Sequence, residues 1–185
     1  LDAGGKEYES KFKILYSTTG IYVLFSGQDD RITTKNYEDQ GNLFFGDVFE
    51  VFFHPDPSVQ VYFEYEINAM GKQLALMISN LNGQRKSWGP WHHEGKDESG
   101  IRKKADVAGG PKELNGKIQL WTAEAFFPFA ALGLLRKVPP RSGDVWNANF
   151  CRLDYDTGKS IKWSWTTTIK TSFHEVEKFR SIKFE

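Results

Sequence analysis

The stretch that decides the fold is residues 47–68, DVFEVFFHPDPSVQVYFEYEIN. Val48 to Phe53 is an apolar run broken only by Glu50, and His54-Pro55-Asp56-Pro57-Ser58 carries turn chemistry. The chain then alternates strictly from Val59 to Asn68. Successive side chains of a strand point to opposite faces, so Val59, Val61, Phe63, Tyr65 and Ile67 share one face and Tyr62, Glu64, Glu66 and Asn68 the other. The first set is expected in a core and the second on a polar platform carrying one aromatic ring.

Working outward, the same period of two recurs. Phe12, Ile14 and Tyr16, then Ile21, Val23 and Phe25, flank the turn Ser17 to Gly20 and read as a hairpin. Leu74, Leu76 and Ile78 continue a sheet. Lys117 to Phe126 follows the Asn115-Gly116 turn, and Asp144 to Asp154 places Trp146, Ala148 and Phe150 on the side that also carries Arg152. Ile161 to Trp165 and Phe179 to Phe184 supply two final strands. Gln28 to Gly46 and Asn80 to Gly100 read as long loops, and Phe129 to Leu135, ending before Pro139-Pro140, as the one short helix. Nine or ten short strands without strand–helix alternation predict an all-β fold. The expected architecture is an antiparallel β-sandwich with one short helix, formed as a single domain over residues 1–185.

Composition narrows the function. Lys plus Arg and Asp plus Glu both number 24, so no net field favours nucleic acid or an anionic membrane, and no apolar run reaches the ~20 residues of a membrane span. Leu1 to Gly5 resembles a processed end, compatible with a removed export signal. The single cysteine, Cys151, excludes an internal disulfide and reads as a small buried apolar residue. Nucleophile elbows and phosphate-binding glycine loops are absent from the sequence.

Three acidic residues invite a catalytic reading. Glu64 and Glu66 lie ~6.6 Å apart along one strand face, with Glu50 able to join them, and glycoside hydrolysis uses carboxyls ~5–9.5 Å apart. Hydrolytic carboxyls flank the bond from opposite sides, however, whereas strand neighbours point the same way and suit ligand hydrogen bonding. His92 and His93, near Glu94, Asp97 and Glu98, lack the spacing of a zinc site. Asp29, Asp30, Asp56, Asp154 and Asp156 could offer oxygens to a structural calcium ion. What remains is recognition, since aromatic rings beside carboxylates and amides suit sugars, whose C–H faces stack while their hydroxyls are hydrogen-bonded. Trp88 and Trp91, in a Gly-Pro segment, are one candidate platform, while Trp121, Trp146 and Trp165 read as core.

Residues 47–56 together with 62–68 resemble the D-x-x-E-[VI]-F…Y-x-x-F/Y-x-[VI]-N pattern of family 9 carbohydrate-binding modules, especially the family-9-like domains of secreted bacterial proteins. Residues 121–132 (WTAEAFFPFAAL), 141–152 (RSGDVWNANFCR) and 164–179 resemble three further elements of that family in the same order. The resemblance spans nearly the whole chain. It implies a β-sandwich that can hold structural metal ions, requires no cofactor and binds glycan ends or small sugars between two rings. By position those rings are Phe44 and Phe173, with Glu50 and Asn68 in the same cleft. Arg152 either pairs with a cleft carboxylate or stabilises the sheet.

Three departures accompany the resemblance. Phenylalanine stands where the sugar-binding xylanase modules have tryptophan, Glu66 stands at a strand position that is arginine there, and Arg180 replaces the closing glycine. Phenylalanine offers less stacking area and no N–H, so weaker affinity or a different ligand is expected. The expected role is non-catalytic carbohydrate binding within a secreted, periplasmic or cell-surface protein for polysaccharide use. A catalytic domain or another glycan-utilisation protein is the expected partner. The alternatives are a glycoside hydrolase or esterase using Glu50, Glu64 and Glu66, or a structural protein-interaction sandwich.

Overall fold

The computed structural model describes residues 8–35, 38–91, 99–168 and 172–185. His92, His93, Glu94, Asp97 and Glu98 lie outside them. Eleven strands occur among the described residues: β1 Ser10–Tyr16, β2 Gly20–Gln28, β3 Val48–His54, β4 Val61–Ile67, β5 Gln73–Leu81, β6 Gln84–Pro90, β7 Arg102–Ala108, β8 Leu120–Pro128, β9 Val145–Asp154, β10 Ile161–Ser164 and β11 Arg180–Lys183. They form two antiparallel sheets. The smaller has the order β1-β2-β8-β7, and the larger β10-β9-β3-β4-β5-β6, with β11 also paired to β9.

The alternation seen in the sequence decides what lies between the sheets. Ile21, Val23 and Phe25 of β2 and Trp121, Ala123, Ala125 and Phe127 of β8 face Phe49, Val51 and Phe53 of β3 and Phe63, Tyr65 and Ile67 of β4. Phe49 stacks on Trp121 at a centroid distance of 4.0 Å and on Phe25 at 4.9 Å. Trp121 and Trp146 are fully buried in this interior, as expected of large aromatics in a sandwich. Cys151 is free and buried.

The other face of the large sheet is also covered. Val48 and Phe52 of β3, Tyr62 of β4, Leu74, Leu76 and Ile78 of β5, and Cys151 and Leu153 of β9 form a second apolar cluster with Leu43, Phe173 and Phe179. Two irregular segments supply its roof. One is the 3-10 turn Leu43–Phe45, and the other is residues 172–179, ending in the 3-10 turn Val176–Lys178. The polar platform is thus roofed, and Tyr62, Glu64, Glu66 and Asn68 are all buried.

Two sequence expectations change, and a strand is added where none was expected. The short helix is a 3-10 turn over Phe129–Leu132, one of three such turns among the described residues. The segment read as a loop after Asn80 contains strand β6, an exposed edge strand paired to β5. Strand β7 forms the opposite edge of the smaller sheet, where lysines and an aspartate interrupt the apolar alternation. No helix among the described residues is long and apolar enough to cross a membrane.

Candidate functional site

Between the roof segments and the outer face of the large sheet lies a half-open cleft of about 440 Å³, within the usual size of a small-molecule site. Its floor is the middle of the sheet. Glu50 on β3 sits directly opposite Glu66 on β4, and Glu64 follows on the same face two residues away, so three carboxyls converge on one patch. Leu76 and Leu153 continue the floor on β5 and β9.

Aromatic rings line the same space. Phe44 and Phe45 come from the first roof segment and Phe173 from the second, while Trp88 reaches in from the edge strand β6. Tyr155 fixes the first segment by donating its hydroxyl to the Phe44 carbonyl at 2.8 Å. Phe173 is only 7% exposed, whereas Trp88 and Phe45 are 46% and 50% exposed. The accessible stacking surface therefore belongs to Phe45 and Trp88 more than to Phe173.

The charges follow the strand order. The acids occupy the central strands β3 and β4, while the cleft's two cations come from the flanking strands, Lys162 from β10 and Arg85 from β6. Arg85 Nη1 lies 3.2 Å from Nε2 of His174, whose Nδ1 lies 2.8 Å from the Tyr62 hydroxyl. Burial, with help from Arg85 and Lys162, pushes the His174 pKa down to about 4, so the ring is neutral at pH 7. Arginine can only donate, so Nε2 accepts and Nδ1 carries the proton toward the Tyr62 oxygen. Lys162 Nζ lies 5.8 Å from the centroid of the Phe173 ring.

All three carboxyls hold protons more tightly than usual. Burial raises Glu64 to about 7, against the opposing influences of Glu66 and Arg85. Burial and then the charge of Glu64 hold Glu50 well above the carboxylate range, opposed by Lys162. Burial and then the charges of Glu50 and Glu64 do the same to Glu66. Neither oxygen of Glu66, nor Oε2 of Glu64, makes a well-formed hydrogen bond within the protein. Buried acceptors of this kind are expected to find partners. Such a floor can donate and accept hydrogen bonds to a polyhydroxylated ligand whose apolar face rests on the rings.

The sequence candidates thus separate. Phe44, Glu50, Glu66, Phe173 and Trp88 line one cleft, and Glu64 joins them. Asn68 shares the face of Glu66 but closes the β4–β5 turn, accepting from the Lys72 amide at 3.0 Å and donating to Thr34 Oγ1 at 3.3 Å. Trp91 packs against the interior, with Nε1 donating to the Ala131 carbonyl at 2.6 Å. Arg152 points from β9 into the opposite side of the sheet and cannot meet Glu50. Of the two roles open to it, the sheet-stabilising one matches this position. Phe45, Tyr155, Lys162 and His174 are cleft residues that sequence reading does not single out, although Phe45 and His174 adjoin the two expected rings.

Arg152 belongs instead to a buried acidic cluster. Its Nη2 bonds Asp29 Oδ2 at 2.9 Å and Asp154 Oδ2 at 2.8 Å, and its Nη1 donates to the Gln28 carbonyl at 2.6 Å. A Cβ on Gly27 would lie 2.6 Å from that Nη1 and 2.9 Å from the Phe49 ring, so only glycine leaves the guanidinium its place. Oxygens of Asp29, Asp154 and Asp156 come within 4.8 Å of one another. Asp30 and Asp56 are not part of this group, and Asp56 instead pairs with Lys137 at the turn after β3. Burial raises Asp29 to about 7 and Asp47 to about 9, the neighbouring aspartates adding to both. Arg152 pairs with Asp29 and Asp154, and Arg31 approaches Asp156 at 3.9 Å. The three carboxylates are hard oxygen donors of the type that calcium takes.

No family model matches the chain, and no curated protein matches it. Solved structures do. A candidate carbohydrate-binding protein from Bacteroides uniformis superposes with a TM-score of 0.79 at 18% identity, over 100% of this chain and 82% of that one. A family 9 carbohydrate-binding module from Caldicellulosiruptor kristjanssonii, in complex with glucose, gives a TM-score of 0.62 at 14% identity over 97% of this chain and 78% of that one. Its complex with cellotriose gives the same TM-score and identity, over 97% and 76%. The chain therefore has the fold of the family 9 carbohydrate-binding modules.

Proposed function

We propose that this domain binds carbohydrate in the cleft over Glu50, Glu64 and Glu66 and does no chemistry on it. The observation that carries the reading is the meeting of Phe44, Phe45, Phe173 and Trp88 with three buried carboxyls in one cleft of sugar size. Rings supply stacking surface for pyranose C–H faces, and the carboxyls supply planar hydrogen-bonding groups. The ligands of the two Caldicellulosiruptor complexes, glucose and cellotriose, support the same class of ligand.

The raised pKa of Glu64 favours one rival, glycoside hydrolysis, which needs a carboxyl still protonated near neutrality. The geometry disfavours it. All three acids project from one face of two neighbouring strands, so no pair can flank a glycosidic bond from opposite sides. Release of reducing sugar, lost in Glu64→Gln, would establish hydrolysis in place of binding.

The setting that suits such a domain is an exported protein for polysaccharide use, partnered by a catalytic or glycan-capturing unit. The cluster of Asp29, Asp154 and Asp156 is assigned to a structural calcium ion, whose charge would neutralise carboxyls that burial otherwise protonates. Isothermal titration of the purified domain against neutral and charged mono- and oligosaccharides tests the central reading. Saturable binding that weakens severalfold in Trp88→Ala is the expected result, and no binding across the panel would reject it.

A further inference from the structure

The floor of the cleft does not treat its three acids alike. Lys162 opposes the shift of Glu50 and Arg85 that of Glu64, whereas the largest influences on Glu66 after burial are the other two carboxyls, followed by the Phe44 amide. Glu66 is 0% exposed, both its oxygens lack a well-formed hydrogen bond, and it stands directly opposite Glu50 across the β3–β4 ladder. Like charges paired across a ladder destabilise a sheet, so this arrangement costs the fold something that an apolar pair would not. The two cations stand at the margins of the floor, Arg85 beside His174 and Lys162 over Phe173.

We propose that the cleft selects a glycan unit bearing a free ammonium group, an amino sugar, with Glu66 as the partner of that ammonium. The inference rests on the carbohydrate-binding reading above and specifies its ligand. Fully ionised, the three carboxyls would outnumber the two cations of this half-open cleft, and burial holds that charge back by keeping protons on the acids, so an ammonium supplies the counter-charge that lets one of them ionise. A neutral hydroxyl leaves either an ionised acid without a counter-charge or an acid that must take up a proton. Hydrogen bonds between charged partners are shorter and stronger than neutral ones, which gives the amine its advantage over a hydroxyl or an acetamide at the same carbon. The rings Phe45 and Trp88 add to this, since a cation near an aromatic face is attracted by its quadrupole.

The test is titration of the intact domain with D-glucosamine, D-glucose and N-acetyl-D-glucosamine, and with their β-1,4-linked oligomers. The amine is expected to bind about tenfold more tightly than either neutral sugar, the equivalent of one charge-assisted hydrogen bond. Glu66→Gln, checked for folding by circular dichroism, should weaken amine binding more than neutral-sugar binding and so erase the preference, whereas an unchanged amine-to-neutral ratio would overturn the role of Glu66. Arg85→Gln, at an exposed margin where folding is not at stake, should strengthen amine binding by removing a competing cation. Equal or tighter binding of the neutral sugars would overturn the amine inference and leave the cleft a carbohydrate site. Failure of every sugar to bind would overturn both readings.

Discussion

Replacing Glu64 by glutamine should flatten the dependence of stability on pH. In the folded protein burial raises the Glu64 pKa from the ordinary 4.5 to about 7. The folded state therefore binds this proton more tightly than the unfolded chain does. The corresponding stability is fully present below the unfolded value and is lost as pH rises through about 7. A shift of this size is equivalent to about 3 kcal/mol. Asp29 and Asp47 are raised as well, so the wild-type protein should lose more than this between about pH 5 and about pH 8. The difference between wild type and variant isolates the cleft. Glutamine also removes a charge that raises Glu50 and Glu66, which flattens the curve further in the same direction. Urea unfolding at a series of pH values measures both proteins. Parallel curves for the two would show that Glu64 does not sit in the dry, like-charged floor described here.

Other substitutions separate the cleft from the scaffold. Trp88→Ala removes an exposed ring from an edge strand, so stability should change by less than about 0.5 kcal/mol while sugar affinity, read by calorimetry, falls severalfold. Arg152→Ala strands Asp29 and Asp154 in the interior and should cost about 3–5 kcal/mol in urea unfolding, with sugar affinity unchanged under conditions where the variant is folded. Calcium should raise the melting temperature of the wild-type domain and chelator should lower it, and Asp154→Asn should abolish the response in a thermal-shift assay.

The sandwich is legible in the sequence because β2, β4, β8 and β9 carry a period of two. Phe63, Tyr65 and Ile67 face the core while Tyr62, Glu64 and Glu66 face away, as their parity requires. Of the edge strands, β1 and β10 are legible and β6 and β7 are not. In β6 the sequence QRKSWGP is polar on both faces, and it is strand only because β5 offers an unpaired ladder. The cleft is half legible. Parity alone places Arg152 with Trp146 and Phe150 toward the interior, away from Glu50, and so argues against a site shared by the two. Parity cannot reveal the roof. Nothing local in residues 43–45 or 172–179 states that they close over β3 and β4, since that depends on pairing between distant strands. Without the roof, Glu64 and Glu66 read only as a polar platform, and the contributions of Phe45, Lys162 and His174 stay hidden.

The central claim is the location of the ligand. A crystal structure of the domain soaked with the tightest-binding sugar from calorimetry tests it most directly. A pyranose ring against Phe45 and Trp88, with hydroxyl or ammonium groups on Glu50 and Glu66, is the expected result. A sugar bound instead on the outer face of the smaller sheet, where Tyr22 and Phe126 lie 4.6 Å apart, or in the groove beside Trp163, would contradict it.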